Sequence, residues 1–181
     1  MRFLKFLSVV ILGIGITACN GEQSLQEYYV ENQNNKDFVA IDIPASMLTN
    51  MGSLDDAQRR TLETVKKVNV LAIPKKAENI EKIENEKLNV ANILKDEKYQ
   101  LLMRYGSGDT RVEIYFTGEE EAVNEIILYG FDENRGMGLA RVLGDEMNPG
   151  DILALVKSME KGDIDLSGFS GLNGLFAERV Q

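Results

Sequence analysis

YQLLMRYGSGDTRVEIYFTGEEEAVNEIILYGFDENRGMGLARVL, residues 99–143, holds four apolar runs parted by turn-forming residues, and its reading decides the fold. Tyr99 to Tyr105 and Thr110 to Thr117 flank Gly106-Ser107-Gly108-Asp109, residues that tolerate positive φ, so they predict a hairpin. Ala122 to Phe131 and Met137 to Leu143 flank Asp132-Glu133-Asn134-Arg135-Gly136 and predict a second one. Upstream, Phe38 to Ile43 and Val68 to Ile73 read as strands, stopped by Pro44 and Pro74, which cannot donate to a central ladder.

Helical spacing fills the gaps. Ser53, with Asp56 in the third position, predicts a capped helix with Leu54, Ala57, Leu62 and Val65 on its apolar side. Ala77 to about Lys98 predicts a long helix that buries Ala77, Ile80, Leu88, Ala91 and Leu94. Asn148-Pro149 opens a last helix with the stripe Ile152, Leu155, Val156 and Met159. The order β-α-β-α-β-β-β-β-α specifies an α+β class: a mainly antiparallel sheet of about six strands with helices packed on one side.

The N-terminus has a different grammar. Arg2 and Lys5 give a basic start, Phe6 to Ile16 an apolar run, and Ile16-Thr17-Ala18-Cys19 a small-residue exit, the order of a secretory signal. The apolar run is shorter than the about 20 residues that a membrane span needs. Its end resembles the bacterial lipobox, which implies cleavage before Cys19 and a thiol carrying diacylglycerol. Cys19 is the only cysteine, and lipidation removes the liability of an unpaired thiol in an exported chain. Acyl chains contribute about 0.8 kcal/mol per buried methylene, so two or more make release from a membrane slow.

These signals divide the chain into a signal peptide (1–18), a lipidated cysteine with a polar tether holding one short helix (19–37), one α+β domain (38–160) and an apolar tail (161–181). Cleavage leaves 163 of the 181 residues, enough for one core. Without Arg2 and Lys5 the remaining 18 basic and 29 acidic residues give a net charge of −11, which disfavours binding to nucleic acid or to an anionic lipid surface.

The chain has no histidine and no tryptophan. Ser-His and Cys-His nucleophile pairs are therefore excluded, and so is a structural zinc held by Cys and His. No cofactor and no catalytic residue is assigned. Ser158-Met159-Glu160-Lys161 matches S-x-x-K, a serine beside a lysine base, but without its companion motifs S-D-N and K-T-G. Gly136-Met137-Gly138-Leu139-Ala140-Arg141 begins like a dinucleotide loop yet has Arg for the third glycine and lies between strands, so it reads as a hairpin turn. Asp163-Ile164-Asp165-Leu166-Ser167-Gly168 imitates an EF-hand opening, but Gly174 stands where the bidentate glutamate belongs. Glu119-Glu120-Glu121, Lys66-Lys67 and Lys75-Lys76 read as solvated surface charge.

Leu166-Ser167-Gly168, Phe169-Ser170-Gly171 and Leu172-Asn173-Gly174 repeat an apolar-polar-glycine triplet before Leu175-Phe176. Glycine at every third position disfavours a helix by about 1 kcal/mol per site. The segment reads either as a tail lying over the domain or without fixed structure, or as a strip in which Leu166, Phe169, Leu172, Leu175 and Phe176 dock a protein partner.

Taken together, Phe38 to Leu48, Val68 to Leu71, Tyr99 to Tyr105, Asn124 to Leu128, Leu139 to Gly144, and Ile152 with Leu155 resemble the uncharacterised lipoproteins of Bacteroidetes that form a domain-of-unknown-function family. The resemblance implies an α+β envelope lipoprotein, with a link to extracytoplasmic-function sigma-factor systems, and carries over no functional residue. Only Glu22 is acidic just after the cysteine, so a surface-export pattern is not met. The expected role is a noncatalytic binding or regulatory module. It would be anchored to the outer membrane facing the periplasm, with the membrane and an envelope protein as partners. The alternatives are a serine hydrolase using Ser158 and Lys161, or a carrier of an apolar ligand.

Overall fold

The four runs of 99–143 form consecutive strands of one sheet in a computed structural model, which describes residues 23–48, 54–106 and 108–160. Strands β1 (Val39–Pro44) and β2 (Val65–Pro74) precede β3 (Gln100–Tyr105), β4 (Thr110–Glu119), β5 (Ala122–Asp132) and β6 (Gly136–Met147). They form one six-stranded sheet in the order β1-β2-β6-β5-β4-β3, antiparallel at every pairing. Both predicted hairpins are present, and β6 returns to pair with β2. Gly136 makes that return possible: its φ is +110°, and a Cβ there would stand 2.0 Å from the carbonyl oxygen of Ile73. The glycine of the apparent dinucleotide motif thus serves a close backbone approach at the start of β6.

Two separate apolar clusters occupy the two faces of the sheet. Leu71, Tyr115, Ile127, Tyr129 and Leu139 lie under α1 (Leu25–Asn32) and α4 (Ile80–Ile93). Ile43, Val65, Ile114, Phe116, Ile126 and Val142 lie under α2 (Ala45–Leu48), α3 (Asp56–Glu63) and α5 (Pro149–Glu160). The expectation of helices on one side is therefore corrected to helices on both. The physical reason is the unbroken run Ile126-Ile127-Leu128-Tyr129, which offers apolar side chains to each face in turn.

Helix α1 is part of the core. Ser24 and Glu27 form a reciprocal capping box, and Leu25, Tyr28 and Tyr29 are buried. The short helix expected between residues 19 and 37 is thus packed against the sheet through these three side chains.

Helix α3 is capped by Asp55 with Gln58, two residues later than expected, while Ser53 lies outside the described residues. Val65 belongs to β2, not to that helix. In α5, Ile152 and Leu155 are buried as expected, and the side chains of Val156 and Met159 fall outside the described set.

The long helix differs most from its sequence reading. Ala77–Asn79 form a 3₁₀ turn, and α4 buries Ile83, Val90 and Ile93, followed by Leu94. Leu88 is 64% and Ile80 49% exposed, so the buried face is turned by about a quarter of a revolution from the predicted one. Charged side chains border that face and cover aromatic rings. Lys87 Nζ sits 4.1 Å from the Phe131 ring centroid, and Tyr28 donates a 2.9 Å hydrogen bond to Glu86. Ile93→Ala is expected to cost about 2–5 kcal/mol, and Leu88→Ala less than about 0.5 kcal/mol, in urea unfolding. Equal costs would contradict the observed face.

Candidate functional site

A polar row crosses the face under α1. Asp42 of β1 pairs in register with Asn69 of β2, and Asn69 with Arg141 of β6. Glu125 of β5, two residues from Arg141's partner Ile127, points to the same face and binds the guanidinium through Nε. Asn69 donates to Asp42, and its own Oδ1 is buried without a hydrogen-bond partner. Helix α1 closes the row from above: Tyr29 donates to Asp42 at 2.8 Å, and Arg141 Nη1 donates to Gln26 at 2.8 Å. Burial, then the bond to Asp42, raises the Tyr29 pKa well above that of a free phenol.

The Arg141 side chain is 4% exposed and that of Glu125 13%, so this ion pair sits inside the protein. A buried pair is a weak source of net stability, but loss of one partner strands the other charge. The row has the character of a positioning device that sets α1 on the sheet, since its members face each other and not a cavity.

A second polar group lies toward the other edge on the same face. Glu113 of β4, largely buried, accepts from Arg104 of β3 at 2.6 Å and from Tyr115 at 2.7 Å, with Arg111 at 3.2 Å. Burial and the bond to Glu113 push the Tyr115 pKa up to about 12. These contacts tie β3 to the sheet.

Strand β3 itself is an uncovered edge. Leu101, Leu102, Met103 and Tyr105 are 46%, 38%, 43% and 53% exposed. The other large exposed apolar side chains among the described residues, Val30, Met47, Ile80 and Leu88, are scattered over three helices. Four in one six-residue edge strand make a patch, and such edges mark contact surfaces.

The motif residues are placed as follows. Ser158 donates to the Ala154 carbonyl of its own helix at 3.1 Å, while Lys161 lies outside the described residues. Also outside them are Cys19, Asp163, Asp165 and the strip Leu166, Phe169, Leu172, Leu175 and Phe176. Glu119 ends β4, and Glu120 and Glu121 are exposed in its turn. Lys66 pairs with Asp145 at the surface. Among the described residues, no group of three or more His, Cys, Asp and Glu is placed to hold a metal. An open cleft of about 330 Å³ is lined by Ile83, Lys87, Phe131 and Glu133, and one of about 440 Å³ by Arg60, Thr64, Glu146 and Asp151.

The sequence reading did not single out Asp42, Asn69, Glu125 or Arg141. A signal was present for three of them: Asp42, Asn69 and Arg141 each stand between two apolar neighbours in a strand, where a side chain must find a partner, whereas Glu125 follows Asn124.

Fold and site together define a three-layer α+β domain with a polar row sealed beneath its first helix. A family model described as "Domain of unknown function (DUF4252)" matches residues 28–155, and the chain belongs to that family. Neither the curated proteins nor the solved structures compared with it gave a match.

Arg141→Met is expected to lower unfolding free energy by about 3–5 kcal/mol, because Glu125 is left buried and unpaired. The double variant Arg141→Met/Glu125→Leu should recover much of that loss in the same denaturant titration. A double variant as unstable as the single one would contradict a charge-pairing role.

Proposed function

We propose that the chain is a lipoprotein of the bacterial cell envelope, of the kind found in Bacteroidetes, held to the membrane through Cys19. There it acts as a noncatalytic binding or regulatory module, linked to envelope-stress signalling. The observation that carries this reading is the position of the signal relative to the folded unit. The basic, apolar and small-residue order ends at Cys19, and among the described residues the first buried side chain is Leu25. Cleavage before Cys19 leaves the capping box of α1, formed by Ser24 and Glu27, whole. No described helix is long and apolar enough to cross a membrane.

The chain's own helices occupy both sheet faces, which makes the segment beyond Glu160 the proposed contact for an envelope protein. Leu166, Phe169, Leu172, Leu175 and Phe176 are its apolar anchors. The hydrolase alternative gains no support from Ser158, whose hydroxyl bonds back to its own helix. The carrier alternative fares no better, because the two clefts are open and edged by charged side chains.

Mass spectrometry of the protein isolated from its native membrane should show acylated Cys19 as residue one and no residues 1–18. A retained leader, or a free thiol at Cys19, would contradict the proposal. Crosslinking in intact cells should then yield a partner that is lost when residues 166–181 are deleted.

A further inference from the structure

We infer that the exposed edge strand β3 rests on the surface of the bilayer that holds the lipid anchor, as a second membrane contact. The inference rests on the anchoring at Cys19 proposed above.

The first argument is reach. Six residue steps separate Cys19 from Leu25, a span of at most about 22 Å. The Leu25 amide donates a 3.1 Å hydrogen bond to the hydroxyl of Tyr99, the residue just before β3. Leu102 lies three residues further, about 10 Å along the strand. A domain of this size has a radius of gyration of about 15 Å, so a tether this short keeps the side bearing Leu25 and Tyr99 toward the membrane.

The second argument is charge. The whole chain carries −9, yet Lys95 to Glu113 holds four basic residues (Lys95, Lys98, Arg104, Arg111) against four acidic ones. This stretch is neutral within an acidic protein, and a neutral apolar strip approaches an anionic lipid surface without the repulsion felt elsewhere.

The third is chemistry. Met103 and Tyr105 stand opposite Ile114 and Val112 on one face, and Leu101 opposite Tyr115 on the other, so β3 presents apolar groups on both sides of its free edge. The outer backbone groups of an edge strand need water or headgroups, which excludes burial in hydrocarbon. An interfacial position satisfies both needs: side chains enter the acyl boundary while the backbone stays among headgroups.

The test uses the full, acylated protein reconstituted in phosphatidylethanolamine/phosphatidylglycerol vesicles. Because the one native cysteine carries the lipid, Leu102→Cys or Tyr105→Cys supplies the only free thiol for a nitroxide label, with Arg59→Cys on α3 as control. The expected result on vesicle-bound protein is a loss of accessibility to an aqueous nickel complex and a gain in accessibility to oxygen at both β3 sites, with Arg59 unchanged. Bound protein whose β3 labels stay as water-accessible as Arg59 would overturn the inference. So would spin–spin broadening between β3 labels, which would mean that a second copy pairs with the strand. Protein that does not bind vesicles, and whose Cys19 is unmodified, would remove the anchor itself and this inference with it.

Discussion

Arg141 must keep its charge inside the protein, and the arrangement of the first helix follows from that constraint. Its guanidinium stands in the middle of the six-stranded sheet, matched by Glu125 and by the side chain of Gln26. Without Gln26 and Tyr29 above it, the row from Asp42 to Arg141 would face open solvent along with Leu25 and Tyr28. Polar pairing gives α1 one register on the sheet, and the apolar side chains supply the area that holds it there. An eight-residue helix is marginal alone, so its order comes from this packing.

That constraint also bears on the proposed lipid anchor. A helix locked into the core a few residues after the proposed acyl site leaves little free chain, and the Leu25–Tyr99 hydrogen bond places the beginning of β3 beside it. Among the described residues, helices cover both sheet faces, β3 is exposed, and buried ionic groups pair with each other.

The hairpins were legible because glycines and turn formers interrupt β-rich runs, as at Gly106 and Gly136. The side of the sheet taken by helices was misread, although Ile126 to Tyr129 carried the information: continuous apolar runs serve two faces. The face of α4 was missed because Lys87 and Glu86 engage aromatic side chains of the core, contacts that apolar counting ignores. Helix α1 was seen as a short helix but not as core. Its Leu25, Tyr28 and Tyr29 sit in an Asn/Gln-rich segment, and only the partners Tyr99, Glu86 and Asp42 reveal their placement. The polar row itself needs register, which a single sequence does not display.

Amide hydrogen exchange tests the central claim, that α1 belongs to the folded core. If it does, the amides of Tyr28 to Gln33 exchange with an opening free energy close to that of β6, and protection is lost together in both when Arg141 is replaced. Exchange of those amides near the rate of an unstructured peptide, with β6 still protected, would contradict it.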